Sequence, residues 1–473
     1  MSTFSGISTA LSSLIAQRQA LDVAGQNIAN SNTVGYTRQR AETTSVPSTT
    51  VPSMFSTGTA AGNGTRVTGI TRMGDVFLDA RVRTATSSAS YQTSRANTLA
   101  QVETSFTEPT DLGMASSLQQ FWSGWQDVGN APDSASARAV LLGQAAALTT
   151  TIGDGYRAVE TQWSQLRATT ATAVTQLNTT AASIADLNGQ IRAISVSGGN
   201  ANELIDQRDV LITSLSGLAG ATTQAREDGT VDVLVAGNPL VTGSRAETVS
   251  ILGATTMAGG IGQPPAGAAD PVRLQWDRSG TPLVLEGGSV AAQVTDLGTS
   301  GPLASTATMW NDVATSLATA VNTLHQGGQG TGTPASTGLD FFSFASGLPA
   351  ATGLSVAITN PSDVAAADPV KGALDGSWAD RIAQLATATG GPDSLYRAFV
   401  VDLGVRTDTA SQRATVLEST RSTAENLQLS GASVDLDEEA TNMLAYQRAY
   451  EGAARVLTVM DEMLDTLINR MAV

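Results

Sequence analysis

Cysteine is absent from the 473 residues, which excludes disulfides, thiolate-ligated zinc and thiol catalysis. Histidine occurs once, at His325, so a paired-histidine zinc site is impossible and any Ser-His-Asp triad would have to use that residue. Lysine also occurs once, in Val370-Lys371-Gly372. A phosphate-cradling loop, which needs Gly-Lys-Ser or Gly-Lys-Thr, is therefore missing. Basic residues number 26 against 42 acidic ones, a formal charge of −16, and no dense Arg stripe interrupts the deficit. Binding to nucleic acid or to an anionic membrane surface is disfavoured on that balance. Aromatics make up only 4% of the chain, and no apolar run approaches a membrane span. No Lys or Arg precedes Arg18 and no cleavage-type ending follows the first apolar segment, so a Sec signal peptide is not expected.

What remains is rich in Ala, Ser, Thr and Gly, a composition suited to long helices with narrow small-residue seams. Phe4, Ile7, Leu11, Leu14, Arg18, Leu21, Gly25 and Ile28 follow one another at steps of three and four, the rhythm of a coiled-coil helix ending near Asn30 to Asn32. Met443, Tyr446, Tyr450, Ala453, Leu457, Met460, Leu464, Leu467 and Met471 repeat that rhythm at the other end. Asp435 and Glu438 read as a capping box for this second helix, with Asp437 and Glu439 adding negative charge to its first turn. A third seam runs from Tyr156 through Trp163, Leu177 and Ile184 to Ile194, opened by Asp154-Gly155 and closed by Gly198-Gly199. Further helices are expected at 84–106, 112–129, 136–149, 202–219, 304–325, 377–388 and 393–430. Alternating Val231, Val233, Val235 and Val272, Leu274, Trp276 mark a small β-rich insert between about 223 and 300.

Candidate chemistry is sparse. His325 stands at the expected end of a helix beside Gly327, where a capping or solvent-facing role outweighs catalysis. The acid group at 435–439 is better explained as N-capping than as a carboxylate pair, and Asp206 and Asp209, flanking Arg208, as ion-pair partners. Phe121, Trp122 and Trp125 could form a sugar-stacking platform, but at helical spacing they read as core. No catalytic residue, cofactor site or metal site is expected, and the chain is read as a non-enzyme. Two matched apolar stripes at opposite ends bury too little between themselves to offset the entropy of ordering them, which points to assembly from many copies.

Asn27-Ile28-Ala29-Asn30 and Thr33-Val34-Gly35-Tyr36-Thr37-Arg38-Gln39, directly after the N-terminal helix, resemble the signature of flagellar rod, hook and hook-associated axial proteins. The segment Asn202-Glu203-Leu204-Ile205-Asp206-Gln207-Arg208-Asp209, the ending from Ser433 to Glu439, Asn322-Thr323-Leu324-His325 and Phe341-Phe342 are similar to the hook-associated protein 1 branch of that family. This resemblance implies a mainly α, elongated, multi-domain fold. It has a terminal coiled-coil domain (1–40 and 435–473), a mainly helical domain (41–222 and 304–434) and a β-rich outer domain (223–303). It implies assembly contacts through Phe4, Ile7, Leu11, Leu14, Leu21 and Ile28 with Tyr446, Tyr450, Leu457, Met460, Leu464 and Leu467. The signature positions are Asn27, Asn30, Gly35, Tyr36, Thr37, Arg38 and Gln39, and the helix cap is Asp435 with Glu438. Implied partners are its own copies, the hook protein, a second hook-associated protein leading to the filament, and a cytoplasmic export chaperone on the C-terminal region. The implied location is the extracellular hook-filament junction, reached by type III export without cleavage. Alternatives are a hook or distal rod subunit, against which the 156–194 seam speaks, and a secreted glycan-acting hydrolase with flagellar-type ends. A type III effector or translocator is not expected to carry signatures at both termini. The segment after Phe344 is short, leaving little room for further outer domains.

Overall fold

The computed structural model describes residues 3–47, 62–106, 108, 110, 113–332 and 334–466, with backbone only for 3–5. Its spine is helix α4 (Ala135–Val196), 62 residues long and therefore about 93 Å from end to end. The predicted break at Asp154-Gly155 does not occur. Gly155 lies inside the continuous helix with the Trp310 indole against it, where an added Cβ would meet Trp310 Cζ2 at 2.3 Å. The 136–149 helix and the 156–194 seam are thus one element. Ser134 caps its start by accepting from the Ala137 amide at 3.2 Å.

Two apolar cores hang on this spine. The first half of α4 packs Leu141, Leu148, Ile152, Val159 and Trp163 against α3 (Met114–Asn130), which contributes Phe121, Trp122 and Trp125. The expected core role of these aromatics is what the structure shows. Helices α2 (Val76–Thr104), α8 (Pro302–His325), α10 (Ser377–Ala383) and the first part of α11 (Pro392–Ala432) complete this core. His325 ends α8 as expected, but it is 1% exposed rather than solvent-facing. Its Nδ1 donates to Leu339 O at 2.7 Å and its Nε2 accepts from the Ala365 amide at 2.9 Å. Asn322, one turn earlier, accepts from the Phe341 and Phe342 amides at 2.9 Å each and donates to Phe342 O at 2.8 Å. That holds strand β10 (Phe342–Phe344), which pairs antiparallel with β11 (Leu354–Val356) beyond the short helix α9 (Ala350–Gly353).

The second half of α4 carries the β part. Strands β3 (Thr222–Ala225), β4 (Val231–Val235), β5 (Asn238–Thr242) and β6 (Arg245–Ala246) form one antiparallel sheet; β7 (Val249–Leu252), β8 (Arg273–Trp276) and β9 (Pro282–Leu283) form another. The short helix α6 (Met257–Ile261) lies between β7 and β8, and α7 (Ser289–Leu297) follows β9. Period-two alternation turns Val233, Val235, Leu274 and Trp276 inward onto Leu177, Ile184, Ile212 and Leu215. Two α4 side chains pin these sheets by pairing with free strand groups. Asn188 Nδ2 donates to Val231 O and Gly243 O at 2.8 Å, and Asn178 exchanges two 2.9 Å bonds with the Val249 backbone.

A ribbon the sequence reading did not anticipate lies between the first helix and the body. Strands β1 (Gln39–Ser45) and β2 (Thr65–Arg72) pair antiparallel within a region expected to be mainly helical. β1 is polar and largely exposed; in β2 half-buried and exposed positions alternate, but only Val67 and Ile70 are apolar and a bulge separates them, so neither strand shows the apolar alternation that marks a half-buried strand. The chain ends are helices α1 (Thr3–Asn30) and α12 (Leu436–Asp465), packed against each other. The architecture is mainly α with small sheets. Among the described residues no helix is long and apolar enough to cross a membrane.

Candidate functional site

The signature residues converge where the terminal pair meets the body. Asn27, on the last turn of α1 and 1% exposed, saturates its side-chain amide there. Its Oδ1 accepts from Tyr36 Oη at 2.9 Å and from the Gln39 amide at 3.0 Å; its Nδ2 donates to Gln39 O at 2.9 Å and Glu439 Oε2 at 3.2 Å. Only a side chain with both donor and acceptor can close such a ring. Gly35 makes the turn into it at φ +80°, and an added Cβ would strike Val210 Cγ2 at 2.2 Å. Asn30 remains outside the ring, bonding back to Gln26 O at 3.0 Å.

Arg38 then ties the beginning of the chain to its end. Its Nε donates to Glu439 Oε1 at 2.7 Å, and its two terminal nitrogens grip Glu438 at 2.8 and 3.1 Å. Glu439 is 3% exposed. Such a buried carboxylate is tolerated only with charge-assisted partners. The hydrogen bonds from Arg38 to Glu438 hold the guanidinium pKa above its ordinary value. The Arg38 amide also donates to Ala432 O at 2.9 Å, at the end of α11. Asp435 Oδ1 accepts from the Asp437 and Glu438 amides at 2.9 and 3.2 Å, capping α12. Glu438, expected to reach back to the Asp435 amide, turns to Arg38 instead because a guanidinium fork offers two strong donors.

Helix α5 (Asn202–Ala219) supplies the opposite wall. Asp206 accepts from the Thr37 amide at 3.1 Å and pairs with Arg72 at 2.6 Å; Asp209 pairs with Arg72 at 3.1 Å and Arg83 at 3.3 Å. Burial raises the Asp206 pKa, against the attraction of Arg72. Gln39 donates to Glu203 at 3.2 Å and accepts from Asn202 at 3.0 Å. Tyr36 is pushed up to about 12, by burial first and then by Glu203, Asp206 and Glu439. Beside this network lies a cleft of about 450 Å³ walled by Val34, Tyr36, Val82, Val210 and Leu429. Among the described residues this arrangement pairs its carboxylates with arginines and backbone amides. It is a polar clamp fixing the direction in which two helices leave the body.

The helices beyond the clamp are thinly covered. Small residues approach most closely on α1, where Ala10, Ala16, Val23 and Ala24 are buried. Ile7, Leu14, Leu21, Ile28, Tyr446, Leu457, Met460 and Leu464 are half-buried, and Leu11 and Tyr450 are 50% and 39% exposed. Met460 covers Gly6, where a Cβ would meet its Cε at 2.6 Å. The Phe4 side chain and Leu467 lie outside the described residues. Ile15, Val456, Val459 and Met463, absent from the expected seams, are also about half exposed. A lone helix pair cannot enclose long side chains on more than one face.

Arg72 and Arg83 are clamp members that no sequence motif named, and Glu439, named as a first-turn acid, serves instead as the partner of Arg38. The one available signal was charge density, since four acids in 435–439 exceed what a cap requires. Another carboxylate group, Glu108 and Asp393 beside Trp122 and Tyr396, lines a cleft of about 520 Å³. Trp122 donates to Asp393 at 2.8 Å and Tyr396 to Glu108 at 3.1 Å. Both rings are under 5% exposed and offer no stacking face to a sugar. Among the described residues no group of three or more His, Cys, Asp or Glu could hold a metal ion.

Set against known proteins, residues 99–342 match the family model of the flagellar hook-associated protein FlgK helical domain. Residues 7–37 match that of flagella basal body rod proteins, and 428–471 that of the flagellar basal body rod FlgEFG C-terminal region. Flagellar hook-associated protein 1 of Bacillus subtilis is 29% identical over 511 residues, 100% of this chain and 99% of its own. The Escherichia coli and Salmonella typhimurium proteins of that name are 32% identical over 248 residues, covering 52% of this chain and 44% of theirs. The flagellar hook junction protein FlgK of Burkholderia pseudomallei superposes with a TM-score of 0.63, over 75% of this chain and 100% of that one. At 15% identity that likeness is one of fold.

Proposed function

The chain belongs to the family of the flagellar hook-associated protein FlgK, whose helical-domain model matches just over half of its length, and from that premise we propose how its geometry serves a hook-filament junction. It is a structural component of the bacterial flagellum, and no part of the clamp converts a substrate. Its task is mechanical: to pass torque between two helical lattices. The observation that carries this reading is the Arg38, Asn27 and Glu439 clamp, which orients an under-covered helix pair away from a well-packed body. Apolar side chains left half-open on α1 and α12 are satisfied when neighbouring copies close over them.

In this reading residues 1–40 and 435–473 form the inner, terminal domain, 41–222 and 304–434 the helical domain, and 223–303 the outer β-rich domain. One side of the ring or helical layer meets the hook protein and the other a second hook-associated protein. Export proceeds through the type III apparatus without cleavage, and a cytoplasmic chaperone holds the C-terminal helix until then. Imaging flagella from cells lacking this chain tests the assignment. Hooks without filaments, with flagellin shed to the medium, are expected; complete motile filaments would overturn it.

A further inference from the structure

A layer of polar residues separates the two apolar cores on α4. Along that helix the first core ends with Trp163 and Leu166 and the second begins with Ala173 and Val174, leaving Arg167 and Thr170 between them. On α7, Val290 and Val294 pack into the second core and Leu297 into the first, with Gln293 and Asp296 at the boundary. Helix α2 brings Arg95 and Thr98 to this level, just before Leu99 of the first core. The groups are poorly served. Asp296 is fully buried and Gln293 is 9% exposed, yet no protein donor reaches either Asp296 carboxylate oxygen or Gln293 Oε1. The Thr98 hydroxyl is spent on Ser94 O at 3.2 Å. Arg95 is the charged group that acts on Asp296, but among the described residues the two form no ion pair. Arg167 on α4 is lowered by burial alone and gives Asp296 no counter-charge; α5 and α8, which also pack on α7, bring none. A half-satisfied polar layer is weaker than the apolar packing on either side of it.

We propose that this layer is a built-in joint with Asp296 as its catch: the charged carboxylate releases α7 and the first β sheet from the outer half of α4 as one unit, while the first core stays closed. The second sheet is the hinge, since Ile251 touches both cores, Val272 belongs to the first and Leu274 to the second. The closed layer accepts the neutral acid, and opening lets water solvate the anion. Burial pushes the Asp296 pKa up to about 7, above its value of about 4 in water. The catch therefore holds fully below about pH 4 and weakens as pH rises through 7. Between pH 5 and pH 8 the fraction of open joint rises roughly tenfold or more. At a junction between two lattices, such a joint lets the β-bearing half shift while the helical half carries the load. That use rests on the function proposed above; the joint itself does not.

The absence of cysteine makes the test direct. Ala292→Cys on α7 and, in a separate chain, Ala314→Cys on α8 place a single thiol at positions that are 0% exposed on either side of the layer. Each purified full-length chain is mixed with a small thiol reagent at pH 5 and pH 8, and rates are divided by those of the urea-unfolded chain at the same pH to remove titration of the thiol itself. At pH 8 labelling at position 292 should be at least about tenfold faster than at 314, and it should slow about tenfold or more at pH 5. Adding Asp296→Asn should slow position 292 to a similar degree at pH 8 and much less at pH 5. Equal rates at the two positions at pH 8, a rate at 292 that does not change with pH, or one that Asp296→Asn leaves unchanged at pH 8 would each overturn the joint. The first two outcomes are read on chains that keep Asp296, so the test does not depend on how that variant folds. None of these results bears on the junction reading, which the imaging of flagella decides separately.

Discussion

Arg38 Nε lies 2.7 Å from Glu439 Oε1 although 401 residues separate the two in sequence. This contact joins the segment after the first helix to the first turn of the last one. Replacing Arg38 by Ala leaves Glu439 buried without its main donor, a loss of about 2–3 kcal/mol for a charge-assisted bond. Arg38→Lys should fall nearer to Ala than to the native chain, because one ammonium cannot serve both Glu438 and Glu439 in this geometry. Amide hydrogen exchange in the first turns of α12 is the readout, with α4 as the unaffected reference.

Asn27 offers a sharper case. Asn27→Ala removes four hydrogen bonds and strands the Gln39 backbone and the Tyr36 hydroxyl. Asn27→Asp keeps the acceptor but turns the donor facing Glu439 into a like charge. The Asp variant should therefore be the less stable of the two at pH 7, by about 1 kcal/mol or more. That gap should close near pH 4 as the introduced aspartate takes up a proton. Denaturation of both variants at the two pH values checks the ordering.

Gly155→Ala sets helix propensity against packing. Propensity alone favours Ala by about 1 kcal/mol in a helix interior. Trp310 cannot yield, since it is 4% exposed and stacked on Phe106 at 5.6 Å between ring centres. Overpacking of about 1–3 kcal/mol wins, so the substitution should lower the urea midpoint.

Two buried groups give opposite pH trends. Burial lowers the His325 pKa, and its Nε2 must stay unprotonated to accept from Ala365. Its contribution is full above about pH 6.5 and drains away below it. Asp296, fully buried with neither carboxylate oxygen in a hydrogen bond, is pushed up to about 7 by burial, against the attraction of the Arg95 guanidinium. The fold thus prefers its neutral form, and stability present below about pH 4 is lost as pH rises to about 7. Asp296→Asn should gain more stability over the native chain at pH 8 than at pH 5, by about 2 kcal/mol. Urea titrations at both values measure the difference.

Long helices were legible because their apolar periodicity is strong: 202–219 is α5 to the residue, and 304–325 falls two residues short of α8. The valine alternation likewise located β4 and β8. Gly155 misled because a glycine in a helical pattern reads as a boundary, whereas here it makes room for an indole 155 positions away. The β1–β2 ribbon was invisible for a related reason: β1 is mostly polar and exposed, and the alternation of half-buried positions in β2 is carried by Thr65 and Arg72 as well as Val67 and Ile70, with a bulge between the two apolar ones. Of the clamp, the residues in contiguous motifs could be named, Asn27 and Tyr36 to Gln39 among them. Arg72, Arg83 and the role of Glu439 depend on which elements fold together, and spacing along the chain carries no trace of that.

Hydrogen exchange on the free chain in dilute solution, repeated on the chain assembled in flagella, bears most directly on the claim that α1 and α12 await neighbours. The half-buried stripes predict fast exchange in both helices of the free chain, slow exchange in α4, and protection of all three after assembly. Terminal helices as protected as α4 in the isolated chain would contradict it.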